Sequence, residues 1–219
     1  MEIIIEKPII DKCPQLQLRV ITCKVKNSVA PDRLWDEIDR EICRIKNKYT
    51  IDQINKRSAI SATRTVYKLL GKDPNRYRPS AEALCRRIVR DIPVYKVSTL
   101  VDIINLVSIR SGFSIGGFDA EKIQGRIVLG TGKAGEEFEA IGRGMLNIEG
   151  LPLYSDEAGG IGTPTSDSER TKLTENTTDL LMIINGYGGN DGLDGAVDHA
   201  KQLLAEYASL QEWKVYTIP

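Results

Sequence analysis

Apolar residues recur along this 219-residue chain with two different periods. Ile3 to Ile5 form a short apolar run. After Pro14, Leu16, Leu18 and Val20 alternate with Gln15, Gln17 and Arg19. Alternation is strand periodicity, so residues 2–26 read as β structure, ended by Asn27-Ser28. A helix is predicted from Pro31-Asp32, with proline tolerated in its first turn. Leu34, Trp35, Ile38, Ile42 and Ile45 give it one apolar stripe. A second helical stretch covers Ser58 to Leu70 and is closed by Gly71 and Lys72-Asp73-Pro74. A third opens at Pro79-Ser80, with Ser80 as N-cap and Leu84, Cys85 and Ile88 as its buried positions.

The stretch from Ser98 to Asp119 carries the densest signals. Thr99 and Asp102 form a Ser/Thr-x-x-Asp/Glu helix-start signature. Leu100, Ile103, Ile104 and Val107 follow at helical spacing. Asn105 and Ser108 sit three apart and share a face, and Gly112 stops the helix. Gly116 and Gly117 then open a loop before Phe118 and Asp119, where backbone can approach a ligand closely. An ordinary core helix followed by a turn accounts for the same residues.

In the second half, Arg126 to Leu129 reads as a strand, Gly130 to Gly135 as a turn and Glu137 to Ile141 as the return strand. Leu151 to Tyr154 is another strand. The run Leu180 to Ile184 fits a strand buried on both faces. Gly186 to Gly192 is a loop, and a final helix covers Leu193 to Leu210. No repeat or linker divides the chain, so residues 1–219 read as a single mixed α+β domain.

Charge changes this picture only locally. Thirty Lys and Arg balance thirty Asp and Glu, so no whole-protein field attracts nucleic acid or membrane. Between Arg64 and Lys96, however, nine basic residues face only Asp73, Glu82 and Asp91. Such a segment is either a phosphate-binding face or a set of solvated helix faces. Cys13, Cys23, Cys43 and Cys85 form no C-x-x-C pair and have no nearby histidine, which argues against metal or a disulfide framework. No apolar run is long enough for a membrane helix, and M-E-I-I-I-E-K lacks the features of a secretion signal. A cytoplasmic protein with reduced thiols is expected.

Three motifs bear on chemistry. Gly130-x-Gly132-x-x-Gly135 matches a dinucleotide fingerprint after a strand, with Glu149 near the ribose-binding distance. The long helix it requires is missing, because Gly142 and Gly144 interrupt the next segment. Ile127 and Ala134 likewise exclude a P-loop around Gly132-Lys133. His199, the only histidine, lies on the polar side of the last helix, so a triad or a histidine metal site has little support. The segment Ser166-Asp167-Ser168-Glu169-Arg170-Thr171, dense in hydroxyls and carboxylates ahead of a buried strand, reads either as one side of a binding site or as a solvated loop.

The stretch N-L-V-S-I-R-S-G-F-S-I-G-G-F-D resembles the signature of the tRNA-binding and editing (B3/B4) domain of the phenylalanyl-tRNA synthetase β subunit. Asp102, Asn105, Gly112, Phe118 and Asp119 match it. Gly135-Glu136, Asp156 and T-E-N-T-T before L-L-M-I-I are similar to the same domain in the same order. The resemblance is strongest over residues 79–186 and looks closer still to the free-standing branch of the family. It implies a three-layer α+β fold, tRNA or aminoacyl-tRNA as partner, hydrolysis of mischarged aminoacyl-tRNA in trans, and neither metal nor other cofactor. It implies no aminoacylation, since the rest of a synthetase is absent. Two departures stand out: Gly116 replaces the family histidine, and Ile183 replaces a glutamate that contacts the wrong amino acid's hydroxyl. If hydrolysis persists, Glu169 and Arg170 are the candidates to replace them. Asn105, Ser108, Gly116, Gly117 and Asp119 would form one wall of a shared cavity. Ser166, Asp167, Ser168 and Thr171 would form the other, and Arg86, Arg87 and Arg90 would meet tRNA phosphates. A non-catalytic binder of tRNA, or of a free amino acid or related small molecule, fits the same pocket.

Overall fold

The computed structural model describes residues 3–219. In chain order the elements are β1 (Ile3–Ile5), α1 (Lys7–Lys12), β2 (Gln17–Lys24), α2 (Asp32–Lys48), α3 (Ser58–Leu69), α4 (Ser80–Ile88), α5 (Thr99–Ser111), β3 (Ile115–Asp119) and β4 (Ile127–Thr131). Next come β5 (Glu139–Ala140), β6 (Gly144–Met145), β7 (Pro152–Asp156), β8 (Gly159–Gly162), β9 (Asp179–Gly186), α6 (Leu193–Tyr207) and β10 (Gln211–Ile218). Among the described residues no helix is long and apolar enough to cross a membrane.

The core strand β9 sets the layers. Its alternation places Leu180, Met182 and Ile184 on one face and Leu181 and Ile183 on the other, all essentially inaccessible to solvent. Each fully buried aliphatic of this kind contributes about 1.5–3 kcal/mol of transfer free energy, so β9 anchors both faces. It lies in an antiparallel sheet of order β10-β2-β9-β3. On one side pack the apolar stripes of α2, α5 and α6. On the other lies a second sheet of order β1-β4-β7-β8, in which β1 pairs with β4 in parallel. The result is a three-layer α+β domain. Helices α3 and α4 close one end around Ile60, Cys85 and Ile88.

Several elements differ from the sequence reading. Residues 7–12 form a short helix rather than strand, held by Cys13 N–H donating to the Ile9 carbonyl. Ser80 is the first helical residue of α4, not its cap, and Ala81 and Glu82 are buried there while Leu84 stays half-buried. The return strand after β4 is instead β5, which pairs with β6, whereas β4 pairs with β7. The chain leaves α6 earlier than expected and ends in β10, an edge strand.

The start of α5 is also built differently. Thr99 is its first residue, and Asp102 reaches back to accept from Val97 N–H at 3.1 Å and from Trp35 Nε1 at 2.9 Å. The cap comes from another segment: Asn27 Oδ1 accepts from Leu100 N–H at 3.1 Å, satisfying one of the helix's open amides. Gly112, at φ +86°, ends the helix as expected. Only glycine adopts this left-handed conformation without strain.

Candidate functional site

Gly116 and Gly117 lie within a strand, not a loop. They belong to β3, at the open edge of the central sheet, and are buried. Ser108 helps set this up, its hydroxyl donating to the Phe113 carbonyl at 2.7 Å to fix the α5–β3 turn. Pairing with β9 puts Gly116 directly opposite Ile183. The two departures from the family pattern are therefore cross-strand neighbours on the face toward the second sheet. Gly117 faces the helices, where an added Cβ would lie 2.4 Å from Ile104 Cδ1.

The hydroxyl-rich segment after β8 folds over this edge. Thr163 Oγ1 accepts from Thr165 N–H and Ser166 N–H, each at 3.1 Å, curling the chain back. Ser168 N–H donates to the Ile161 carbonyl, and Tyr67 Oη lies 2.9 Å from Thr165 Oγ1. The turn aims Asp167 at β3, where its Oδ2 accepts from Gly117 N–H at 3.1 Å. The helix-to-β3 segment and the hydroxyl-acid segment therefore meet. Enclosure pushes the Asp167 carboxyl up to about 7, and the Gly117 hydrogen bond only partly offsets this.

The junction is tight rather than a roomy cavity. A Cβ on Gly116 would lie 2.6 Å from Phe118 Cζ, and one on Gly162 would lie 2.7 Å from both the Phe118 ring and Asp167 Oδ1. The phenyl ring occupies the space both glycines leave and walls the carboxylate on its apolar side. Gly116→Ala and Gly162→Ala are each expected to cost about 2 kcal/mol by overpacking. Their combined cost in urea unfolding should fall short of the sum, because both displace one ring.

The other predicted residues divide by partner. Asp119 is buried, accepting from Thr177 Oγ1 at 2.9 Å and Glu121 N–H at 3.3 Å, and serves the β3 exit. Ser168 caps a short turn through Arg170 N–H, and the buried Thr171 hydroxyl donates to the Ile161 carbonyl. Ser166 is half-buried beside Asp167. Asn105 is half-buried in the helix layer and makes no side-chain hydrogen bond among the described residues. Glu169 pairs with Lys172 at 2.5 Å, which holds its carboxyl low. Arg170 is committed to Asp156 at 2.6 Å. Both candidates to replace the family histidine are thus ion-paired within the protein.

Among the basic candidates, Arg87 donates to the Pro93 carbonyl at 2.8 Å and stacks on Tyr95. Arg86 leans toward Glu82 and the Ile51 carbonyl. Arg90 is exposed. Sequence reasoning missed Gly162, Phe118 and Thr163 as shapers of the junction. The glycine and threonine lie just ahead of the hydroxyl-rich run, and Phe118 lies in the matched signature stretch, but neither position reveals that they meet. His199 is half-buried, its Nε2 3.2 Å from Arg110 Nη1 in a cleft of about 270 Å³ between α2, α5 and α6. This cleft lies in the helix layer, away from Asp167. No helix succeeds the Gly130 motif, and a Cβ on Gly132 would strike the Ile148 carbonyl at 2.3 Å.

Comparison with known proteins gives two findings. A family model described as the B3/4 domain matches residues 62–208. The fold is similar to the crystal structure of an N-terminal fragment of the phenylalanyl-tRNA synthetase β subunit from Pyrococcus horikoshii, with a TM-score of 0.50 and 16% identity. That alignment covers 99% of this chain and 53% of the fragment, so the chain spans about half the fragment's length. No curated protein matches the sequence.

Proposed function

Since the chain belongs to the B3/4 domain family, we propose that it binds the aminoacyl end of tRNA at the β3 edge and hydrolyses mischarged aminoacyl-tRNA in trans, with Asp167 as general base. One observation carries this reading. A carboxyl pushed up to about 7 sits at the edge of a glycine-rich strand, and among the described residues it is hydrogen-bonded only through Gly117 N–H. A base whose pKa matches working pH is suited to proton transfer.

The reaction is ester hydrolysis. Asp167 takes a proton from water as the water oxygen bonds to the ester carbonyl carbon. The adduct then collapses, the bond to the ribose oxygen breaks, and that oxygen takes up the proton. Free amino acid and uncharged tRNA leave. With Gly116 and Ile183 in place of histidine and glutamate, neither polar group of the family is present, so the preferred side chain differs from a hydroxylated one.

The assay is a panel of mischarged tRNAs incubated with the full chain. Deacylation above buffer for at least one member supports hydrolysis, and none for any member removes it. Binding without hydrolysis is the second reading, favoured by the Phe118 ring closing over Gly116. It expects tRNA retention on filters that falls steeply with salt and no amino acid release.

A further inference from the structure

Three guanidinium groups converge on one carboxylate between α3 and α4. Glu82 is 1% exposed in its side chain. Arg64 Nη1 lies 2.7 Å from Glu82 Oε2, while Arg78 Nε and Arg86 Nη1 lie 3.5 and 3.8 Å from Oε1. These arginine side chains are 11%, 36% and 19% exposed, so none is fully hydrated. Three positive charges against one negative leave an excess of two. Arg90 adds to it: burial, then Arg78, then Arg90 and Arg64 act against the charge on Arg86, and Glu82 supports it. The other nearby acids are engaged elsewhere: Asp73 with Asn75 N–H, Asp91 with Lys46 and Asp52 with Thr50 and Lys56. The Nε atoms of Arg78 and Arg86 are buried with no hydrogen-bond partner among the described residues.

Half-desolvated cations without counter-charge are costly, and the cost falls when an anion with several acceptor oxygens sits among them. The planar guanidinium fork matches a phosphate in geometry and charge. We infer that the Arg64–Arg78–Arg86 cluster around Glu82 is a phosphate-binding site that takes a backbone phosphate of tRNA near the aminoacyl end. Its position fits that role. Ser80 N–H donates to the Pro164 carbonyl at 2.8 Å, and Tyr67 contacts Thr165, so both helices touch the segment that carries Asp167. Arg64 lies about one helical turn from Tyr67, and Glu82 two residues from Ser80. The source of the phosphate rests on the tRNA reading, whereas the site's charge and geometry do not. All three arginines lie in the basic segment from Arg64 to Lys96, although only Arg86 belongs to the trio expected from the sequence to meet tRNA phosphates.

The test uses the full chain with Arg78→Gln and Arg78→Gln/Arg86→Gln, which spare the tightly paired Arg64, and as control Arg33→Gln, an exposed arginine of α2 paired with Glu206 of α6. Uncharged tRNA is titrated by fluorescence anisotropy across KCl concentrations, and inorganic phosphate and pyrophosphate by thermal shift. The single variant is expected to weaken tRNA binding about 3–10-fold, and the double to reduce the log–log salt slope by about 1–2. Arg33→Gln should change little. Wild-type tRNA binding that both cluster variants leave untouched in affinity and slope overturns the site while sparing the tRNA reading. A phosphate-induced thermal shift lost in the variants, with no tRNA binding by wild type, keeps the site and removes tRNA as its ligand. Neither phosphate nor tRNA binding removes the site.

Discussion

Asp167→Asn is expected to lower deacylation of a susceptible mischarged tRNA by about 100-fold or more, the usual loss when a positioned base is removed. The protein should stay folded, because the amide oxygen of asparagine can still accept from Gly117 N–H, which in the native protein donates to Asp167 Oδ2 at 3.1 Å. In wild type the rate should rise with pH and level off above about 7, where the carboxylate is ionised. Stability should run the other way. The folded carboxyl titrates at about 7 against an ordinary 3.8, so between these values the folded protein keeps a proton that the unfolded chain has released. Stability from this group is therefore present near pH 4 and lost as pH rises through 7. At about 1.4 kcal/mol per pH unit the loss is bounded at about 4 kcal/mol, trimmed because part of the residue reaches water. Asp167→Asn should abolish that slope and leave the protein more stable than wild type at pH 8. Urea midpoints at pH 5 and 8, read beside single-turnover deacylation, check both halves. Full activity in the asparagine variant would exclude Asp167 as the base.

The sequence carried the frame of the molecule more clearly than the chemistry of its site. L-L-M-I-I and the spacing of Leu100, Ile103, Ile104 and Val107 are legible because burial imposes periods of two and 3.6 on them. K-P-I-I-D-K is not, being a six-residue helix whose stability comes from packing Ile9 into the core. E-W-K-V-Y-T-I escapes for the opposite reason: β10 is an edge strand with mostly exposed residues, so no strong apolar signal marks it. Gly116-Gly117 suggests a turn by composition, yet tertiary packing of Phe118 and Ile104 makes glycine necessary inside a strand. At the site, the cluster Ser166 to Thr171 is visible in the sequence as a whole. The member whose carboxylate reaches β3 is decided by the turn on Thr163, which no local pattern reveals. Adjacent residues thus drew the candidacy that Asp167 holds.

Replacing Arg170 with leucine should, by contrast, cost about 3 kcal/mol of stability and little activity per folded molecule. The Arg170 guanidinium holds Asp156 at 2.6 Å and also donates to the carbonyls of Lys122 and Gly159 at 3.2 and 3.4 Å. The Asp156 side chain is 0% exposed. Removing one partner of a buried pair leaves the other charge uncompensated, at about 3–5 kcal/mol. The amides of Gln124 and Ala158 still donate to Asp156, at 2.8 and 2.9 Å, which places the loss at the lower end. Adding Asp156→Asn should recover part of it, since no orphaned charge then remains. Urea unfolding of the two single variants and the double measures the coupling. Deacylation, corrected for folded fraction, should stay within about threefold of wild type. A catalytic Arg170 would give the reverse pattern: an intact unfolding midpoint and a rate as low as that of Asp167→Asn. The two side chains are three residues apart and differ in one respect that decides between these outcomes. Arg170 has its counter-ion within the protein, whereas among the described residues the Asp167 carboxyl accepts only from the Gly117 amide.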